Sequence, residues 1–427
     1  MQGVNPAPVR ATVQHPEMRR TSRRLSLVAV CLCFITLAGT LNLLTPSTPT
    51  GAVSRLDRGN VNPDERQHLS YVLAVADGRW PVLTRSTKDY ESHQPPLYYA
   101  LCSLFVHGQP PSTAMHTCRG VSTLLVLLTM LAAYAFLRRL LPRHPRIALA
   151  TAAFVGLLPM NLSQAASVTN DTLLELVAAV VLLICGQIAA TPQAASGRTL
   201  RVLFLGLILA LGLWTKTNAV VLVAGALAVF AGLAGLRRVE PRQAAVEAGL
   251  LIATVVILAI PLYVRNTIVY GDPMATSIFR VYFHSDHIGL SSIPVAAQIT
   301  FMSFWGCFDS MNLYYPGIVY LVLDAVVLVA AYGFWRAVRN RPISSLAVAL
   351  WTVTVATVLL YVAFNRTYFQ PQGRYLYTAL VPLALGFIVG LRDVTPKGLR
   401  SIALACGVAG LLILDIYTVA MVVHRYN

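Results

Sequence analysis

Apolar runs of near-spanning length recur at about residues 25–45, 119–138, 147–166, 171–190, 201–215, 218–236, 244–264, 316–335, 343–364, 376–391 and 400–422. A helix rises about 1.5 Å per residue, so about 20 apolar residues cross the roughly 30 Å hydrocarbon layer of a bilayer. The pattern predicts an all-α polytopic membrane protein of about eleven transmembrane helices. The run 201–236 is interrupted by "WTKTN" and reads as two helices meeting at a tight turn. The stretch "PPLYYALCSLFV", Pro95 to Val106, is too short to cross and reads as an interfacial helix opened by proline. "ITFMSFWGCF" reads as a second interfacial helix.

Polar positions between the runs set the orientation. If 95–106 does not cross, the N-terminus, "RRLLPRHPR", "TPQAASGRTLR", "RRVEPRQ", "RAVRNRP" and "RDVTPKGLR" share one side and hold most of the 33 Lys and Arg residues. Basic short loops stay cytoplasmic. The N-terminus is therefore expected inside and the C-terminus outside. Residues 1–24 read as a basic cytoplasmic tail and 25–427 as a single transmembrane domain. The first apolar run exceeds a signal-peptide core and reads as an uncleaved anchor. Two long loops, 46–118 and 265–315, then face outward, with the turns "SVTNDT", "TKTN" and "NRTYFQPQGRY".

Composition sharpens the class. Only 12% of residues are charged, against roughly 25% in soluble domains. The formal charge of +16 does not imply a nucleic-acid partner, because the basic residues recur between apolar runs where topology explains them. No CxxC or Cys/His metal spacing occurs among the seven cysteines. Cys102 and Cys118 are the pair an oxidising face would allow to bridge. The arginine- and alanine-rich, lysine-poor composition points to a bacterial plasma membrane.

The candidate chemistry gathers on the outer side. "PDERQHLSYVLAVADGRWP" places Asp64 and Glu65 within helical reach of His68. A carboxylate there either takes a proton from an attacking hydroxyl or, with Glu65 and His68, holds a divalent cation such as Mg or Mn. The competing reading is a first-turn helix cap. "YESHQPPLYY" adds Glu91, His93 and Gln94. Outer-side cations able to meet a phosphate are Arg374, beside Gln372 in "QPQGRY", then Lys216, Arg265 and Arg366. Asp171 precedes a span, and "TLLE", Thr172 to Glu175, fits a capping box. Asp324 falls near mid-span, where an ionisable group is expected to face a partner or cavity. Asp415 lies nearer the outer end of its span.

The acidic pair after the first span, a short helix, "DGRWP" and then "ESHQPPLYY" resemble the first outer loop of GT-C glycosyltransferases. These enzymes are similar to protein O-mannosyltransferases and to the aminoarabinose transferase of lipid A. "FQPQGRYLYTALVPLALG" is similar to the last third of a bacterial membrane family (DUF2142) allied to that superfold. "SVTNDTL" and "LWTKTNAVV" sit where such chains carry an Asn-Asp and a Lys. The likeness runs from about residue 60 to 390.

The resemblance implies inverting transfer of a sugar from a polyprenyl-phosphate carrier to an acceptor hydroxyl on the outer face. It implies Asp64 as base with Glu65 as its neighbour. Where many members carry Lys or Arg before the double proline, this chain has Gln94, so that phosphate contact is in doubt. The partners are the lipid-linked sugar, an unidentified acceptor and membrane lipid. Other readings are a transporter or lipid flippase, an intramembrane metallohydrolase, and a catalytically inactive relative. No HExxH spacing supports the metallohydrolase.

Overall fold

The computed structural model describes residues 16–47, 63–84, 90–191, 197–282, 289–339 and 344–426. The basic tail up to residue 15, and the parts of the expected loops at 48–62, 85–89, 192–196, 283–288 and 340–343, lie outside the described residues.

The chain opens with α1 (Pro16–Leu44), followed by two short helices, α2 (Glu65–Ala76) and α3 (Leu97–Val106). Then come α4 (Pro111–Leu140), α5 (Pro145–Gly156), α6 (Pro159–Ala165), α7 (Asp171–Ala190), α8 (Arg198–Thr215), α9 (Val220–Gly235) and α10 (Pro241–Tyr270). The second long loop carries α11 (Thr276–Tyr282) and α12 (Ile293–Trp305). The last quarter is α13 (Gly317–Val338), α14 (Ser345–Tyr368), α15 (Leu380–Val394) and α16 (Arg400–Tyr426). Two-residue strands, Cys307–Phe308 and Leu313–Tyr314, pair antiparallel.

Among the described residues ten helical stretches are long and apolar enough to span, and α5 with α6 makes an eleventh that is bent by 61°. The bend has a local cause. Pro159 has no N–H to give the Val155 carbonyl, and the Asn161 side chain supplies the donor instead at 2.8 Å. Proline also occupies the first turn of α4, α5 and α10, where its missing N–H costs nothing. Gly271, at φ 69°, ends α10 in the left-handed conformation that favours glycine.

The expected helices are present with shifted edges. α4 starts at Pro111 and α10 runs to Tyr270, so both outer loops are shorter than 46–118 and 265–315. The expected helix over "ITFMSFWGCF" begins earlier, at Ile293, and stops at Gly306. No capping box forms at α7. The helix begins at Asp171, Thr172 Oγ1 donates to the Thr169 carbonyl, and Glu175 turns into the interior. Among the described residues Asp324 has no ion-pair partner and does not line the cavity that holds Asp64 and Arg374. α13 buries Tyr320, Ala330, Gly333 and Ala337, and Asp324 lies on its exposed side.

The first loop is packed, not loose. Tyr71, Tyr98, Tyr99, Cys102, Met115 and Cys118 form a separate buried cluster that seats α2 and α3 on α4. The rings of Tyr71 and Tyr99 stack at 3.8 Å. Cys102 and Cys118 lie in this cluster as free thiols. The loop is thereby held as a fixed wall over the ends of α7 and α8.

Candidate active site

Three chain segments converge on one cavity of about 520 Å³. The first is the loop around α2. Asp64 immediately precedes the helix at φ 70° and ψ 0°, a left-handed conformation uncommon for a residue with a side chain. Such outliers persist where the surroundings hold them, often at functional sites. The conformation takes the carboxylate off the helix end, where it makes no capping bond. Oδ2 instead accepts from Arg374 Nη2 at 2.8 Å, and Oδ1 accepts from the Tyr90 hydroxyl.

Four more first-loop residues line the same wall: His68, Glu91, His93 and Gln94. His68 Nδ1 lies 2.8 Å from the Tyr99 hydroxyl and 3.9 Å from Glu91 Oε2. His93 Nδ1 donates to the Tyr90 carbonyl at 2.6 Å, which closes the turn carrying Glu91. Gln94 is fixed through its carbonyl, which accepts from Tyr71 at 3.1 Å.

The second segment is the junction of α8 and α9. Asn170 Nδ2 donates to the Thr215 carbonyl at 3.3 Å, locking the start of α7 against the end of α8. Lys216 thereby meets Asp171, and Nζ donates to Oδ1. The third segment follows α14. Gly373 is required by close packing, because a Cβ there would lie 2.3 Å from the Phe304 nitrogen. Its N–H donates to Ser303 Oγ at 2.8 Å. The next residue, Arg374, is 4% exposed and donates to Gln372 Oε1 at 2.6 Å and to Asp64. Nη1 also lies 4.0 Å from Asp171 Oδ2.

The result is a chain of four charges, Lys216–Asp171–Arg374–Asp64, drawn from residues more than 300 positions apart. Its two carboxylates balance its two cations. Burial tends to raise the Asp64 carboxyl, but the Arg374 guanidinium and the Tyr90 hydroxyl outweigh it and hold it below the usual carboxylate range. Burial raises Glu91 and lowers His68, moving both toward their neutral forms. Burial also brings His93 down to about 4. The cavity is also lined by apolar residues, Val221 of α9, Leu262 of α10, and Leu360 and Phe364 of α14.

The scan of family models matches residues 63–384 to a predicted membrane protein family, DUF2142. The chain belongs to the DUF2142 family. No curated protein matches it in sequence. Its fold is that of the GT-C membrane glycosyltransferases. ArnT from Cupriavidus metallidurans bound to undecaprenyl phosphate superposes with TM-score 0.57 and 15% identity, covering 95% of this chain and 78% of ArnT. The oligosaccharyltransferase AglB from Archaeoglobus fulgidus, in complex with an inhibitory peptide and a dolichol-phosphate, gives TM-score 0.56 and 14% identity. The match covers 95% of this chain but only 56% of AglB, so this chain spans little more than half of that protein's length. An Archaeoglobus fulgidus oligosaccharyltransferase in complex with Zn and sulfate gives TM-score 0.56, with 14% identity over 94% of this chain and 53% of that one.

Within this DUF2142 chain, the expected site residues Glu65, Arg265 and Arg366 are not on the cavity wall. Glu65, paired with Asp64 in the sequence reading, faces the opposite way and is 0% exposed. Its oxygens accept from Arg119 Nε at 2.8 Å and Nη2 at 2.9 Å, and from the Val168 N–H at 3.0 Å. Arg119 also donates to carbonyls at the end of α1, so Glu65 is a structural anchor. Arg265 lies off the cavity wall, over the rings of Trp80 at 4.5 Å and Tyr270 at 5.4 Å. It ties α10 to the first loop.

These placements bear on the expected metal ligands too. Asp64, Glu65 and His68 do not converge, because Arg119 holds Glu65 and Arg374 holds Asp64. Among the described residues no cluster of His, Cys, Asp and Glu fits a metal ion. Sequence reasoning missed Tyr90, Tyr375 and Asn218 on the cavity wall. Tyr90 and Tyr375 were discoverable as neighbours of Glu91 and Arg374, but tyrosine beside a span is also ordinary at membrane interfaces.

Proposed function

We propose that this chain transfers a sugar from a polyprenyl-phosphate carrier to an acceptor hydroxyl on the outer face of the membrane, with inversion. The observation that carries this reading is the charge chain Lys216–Asp171–Arg374–Asp64 in a cavity that also has apolar lining from α9, α10 and α14. A lipid phosphate needs both. The binding of undecaprenyl phosphate by ArnT and of a dolichol-phosphate by AglB supports the assignment.

The carrier phosphate docks on Arg374 and Lys216 and competes with Asp64 and Asp171 for them. Arginine suits bidentate contact with phosphate. Losing Arg374 frees Asp64 Oδ2, so donor binding prepares the base. Asp64 then takes the acceptor hydroxyl's proton as that oxygen attacks the anomeric carbon. The carbon–oxygen bond to phosphate breaks from the opposite side and the electron pair leaves with the phosphate. Arg374 and Lys216 stabilise the charge that develops there. Single displacement inverts the centre. Tyr90 holds the second Asp64 oxygen and orients it.

The test uses purified protein in nanodiscs and measures polyprenyl-phosphate binding against an uncharged lipid of equal chain length. Wild type is expected to bind the phosphate selectively. Arg374→Ala is expected to lose about 10–100-fold, the value of one or two charge-assisted hydrogen bonds. Asp64→Asn is expected to keep carrier binding yet lose at least about 100-fold in transfer, a typical general-base contribution. Equal binding of both lipids by wild type would refute the reading.

A further inference from the structure

Three arginines face one shallow depression at the end of α7 opposite Asp171. Arg138 and Arg139 close α4, Arg201 lies in the first turn of α8, and Gln187, Ala190 and Thr191 at the end of α7 complete the wall. Each guanidinium bonds a neutral oxygen. Arg138 donates to the Pro142 carbonyl at 3.2 Å, Arg139 to the Ala135 carbonyl at 3.3 Å, and Arg201 to Thr191 Oγ1 at 3.3 Å. A guanidinium carries five N–H donors, so most remain to offer. No acid lines the depression, and neither the α4–α5 connection "LPRH" nor the α7–α8 connection "TPQAASG" contains one. Nearby Arg198 differs. It is buried, and Glu247 neutralises it at 2.6 and 2.9 Å.

An apolar groove leads away from these arginines. α7 packs against both α4 and α8. Its half-buried residues Leu176, Val180, Leu183 and Gln187 recur at steps of four and three, so they form one stripe on one helix face. Gln187 carries that stripe into the depression. The flanks stand higher. Leu128 and Leu131, on the face of α4 that bears Arg138, are exposed, and so is Phe204, on the face of α8 that bears Arg201. At the far end α3 packs on α4 and α8, and its Leu101 joins Leu176 in one cluster. The floor from Leu176 to Gln187 rises about 16 Å, close to the roughly 15 Å hydrocarbon depth of one leaflet.

A leaflet-deep apolar groove that ends in unbalanced positive charge has the two halves of an anionic phospholipid. Arginine forks match phosphate oxygens, and basic pockets between spans are a known setting for anionic headgroups. A zwitterionic lipid would bring its own cation to the arginines, and a free anion would leave the groove uncovered. We propose that this groove binds one anionic phospholipid, with its phosphate on Arg138, Arg139 and Arg201 and an acyl chain on α7 between α4 and α8. The lipid fastens three helices together at the end opposite the Asp64–Arg374 site. It takes no part in the reaction, and the assignment does not depend on the transferase reading.

Native mass spectrometry of the full chain in detergent tests it, with phosphatidylglycerol and phosphatidylcholine of identical acyl chains titrated separately. The first phosphatidylglycerol should bind at least about tenfold more tightly, since each arginine near a membrane surface contributes roughly a fivefold preference for anionic lipid. Arg138→Gln, Arg139→Gln and Arg201→Gln combined should reduce it to the level of phosphatidylcholine. Arg237→Gln, Arg238→Gln and Arg242→Gln combined remove as much charge at the α9–α10 junction and should leave the preference intact. Leu183→Trp fills the groove floor without changing charge and should also weaken phosphatidylglycerol binding. Glycerol phosphate at the same concentration should not displace the lipid. Equal affinity for the two lipids, an equal loss in the α9–α10 variant, unchanged binding in Leu183→Trp, or displacement by glycerol phosphate would each overturn the proposal.

Discussion

Adjacent carboxylates can have opposite tasks, and here one backbone angle separates them. Asp64 and Glu65 are neighbours, yet Asp64 at φ 70° reaches Arg374 while Glu65 faces Arg119. The sequence brings out the pair because carboxylates are rare in an apolar chain. It does not separate them, since the choice rests on Arg119, 54 positions away, and on a left-handed turn that aspartate tolerates without requiring. The histidines behave similarly. His93 was visible as a candidate, but its depressed pKa comes from burial that only the folded loop provides. That shift makes a signed prediction. His93 is held at about 4 against an ordinary 6.5, so between these pH values the unfolded chain binds more protons than the folded one. Stability should therefore be highest above pH 6.5 and decline as pH falls toward 4. His93→Asn keeps a donor for the Tyr90 carbonyl and removes the titrating ring. Its unfolding midpoint should decline less steeply than that of wild type across this interval, and parallel profiles would contradict the assignment.

At the scale of elements, the first loop is anchored by the same feature that hides Glu65. Arg119 on α4 is 0% exposed, bonds both oxygens of Glu65 at the start of α2, and donates to the Thr45 and Pro46 carbonyls after α1. Removing one member of such a pair strands the other, at about 3–5 kcal/mol. Arg119→Met should lose about that much stability, and Glu65→Gln should lose less because an amide still accepts one bond. Both should lower the yield of folded protein, with carrier binding per folded molecule largely kept. Asp64→Asn should show the opposite pattern, and denaturation series on the three variants separate them. Loss of binding at full stability in Glu65→Gln would return Glu65 to the reaction. Helix existence was readable because apolar runs of spanning length leave few alternatives. Helix contact was not. α13 and α15 meet through Gly333 and Gly390, where a Cβ on Gly390 would lie 1.9 Å from the Ala330 carbonyl oxygen. Neither glycine stands out in the sequence. Glu175 fitted a plausible capping box in the sequence, but α7 starts at Asp171 with no side-chain cap and buries Glu175.

The whole molecule has two unlike ends. α4 rises about 45 Å over its 30 residues, from the first loop to Arg138. At that far end Arg138 and Arg139 share one shallow depression with Gln187 and Arg201. α7 runs the same way, from Asp171 on the cavity wall to Ala190 at the arginine end. The acids and histidines of the cavity wall therefore lie at one end, and this arginine cluster at the other. By the positive-inside rule the arginine end is expected in the cytoplasm and the cavity outside. This orientation matters for the proposed transfer, because a cavity on the outer side would draw its acceptor from the envelope and not from cytoplasmic metabolites. Single cysteines at Gln109 and at Pro142, in a Cys406→Ser background, test it in intact cells with a membrane-impermeant maleimide. Labelling at 109 without labelling at 142, and of both after lysis, is the expected result. The reverse would put Asp64 and Arg374 in the cytoplasm, and a lipid-linked donor would then have to be used before it crosses the membrane.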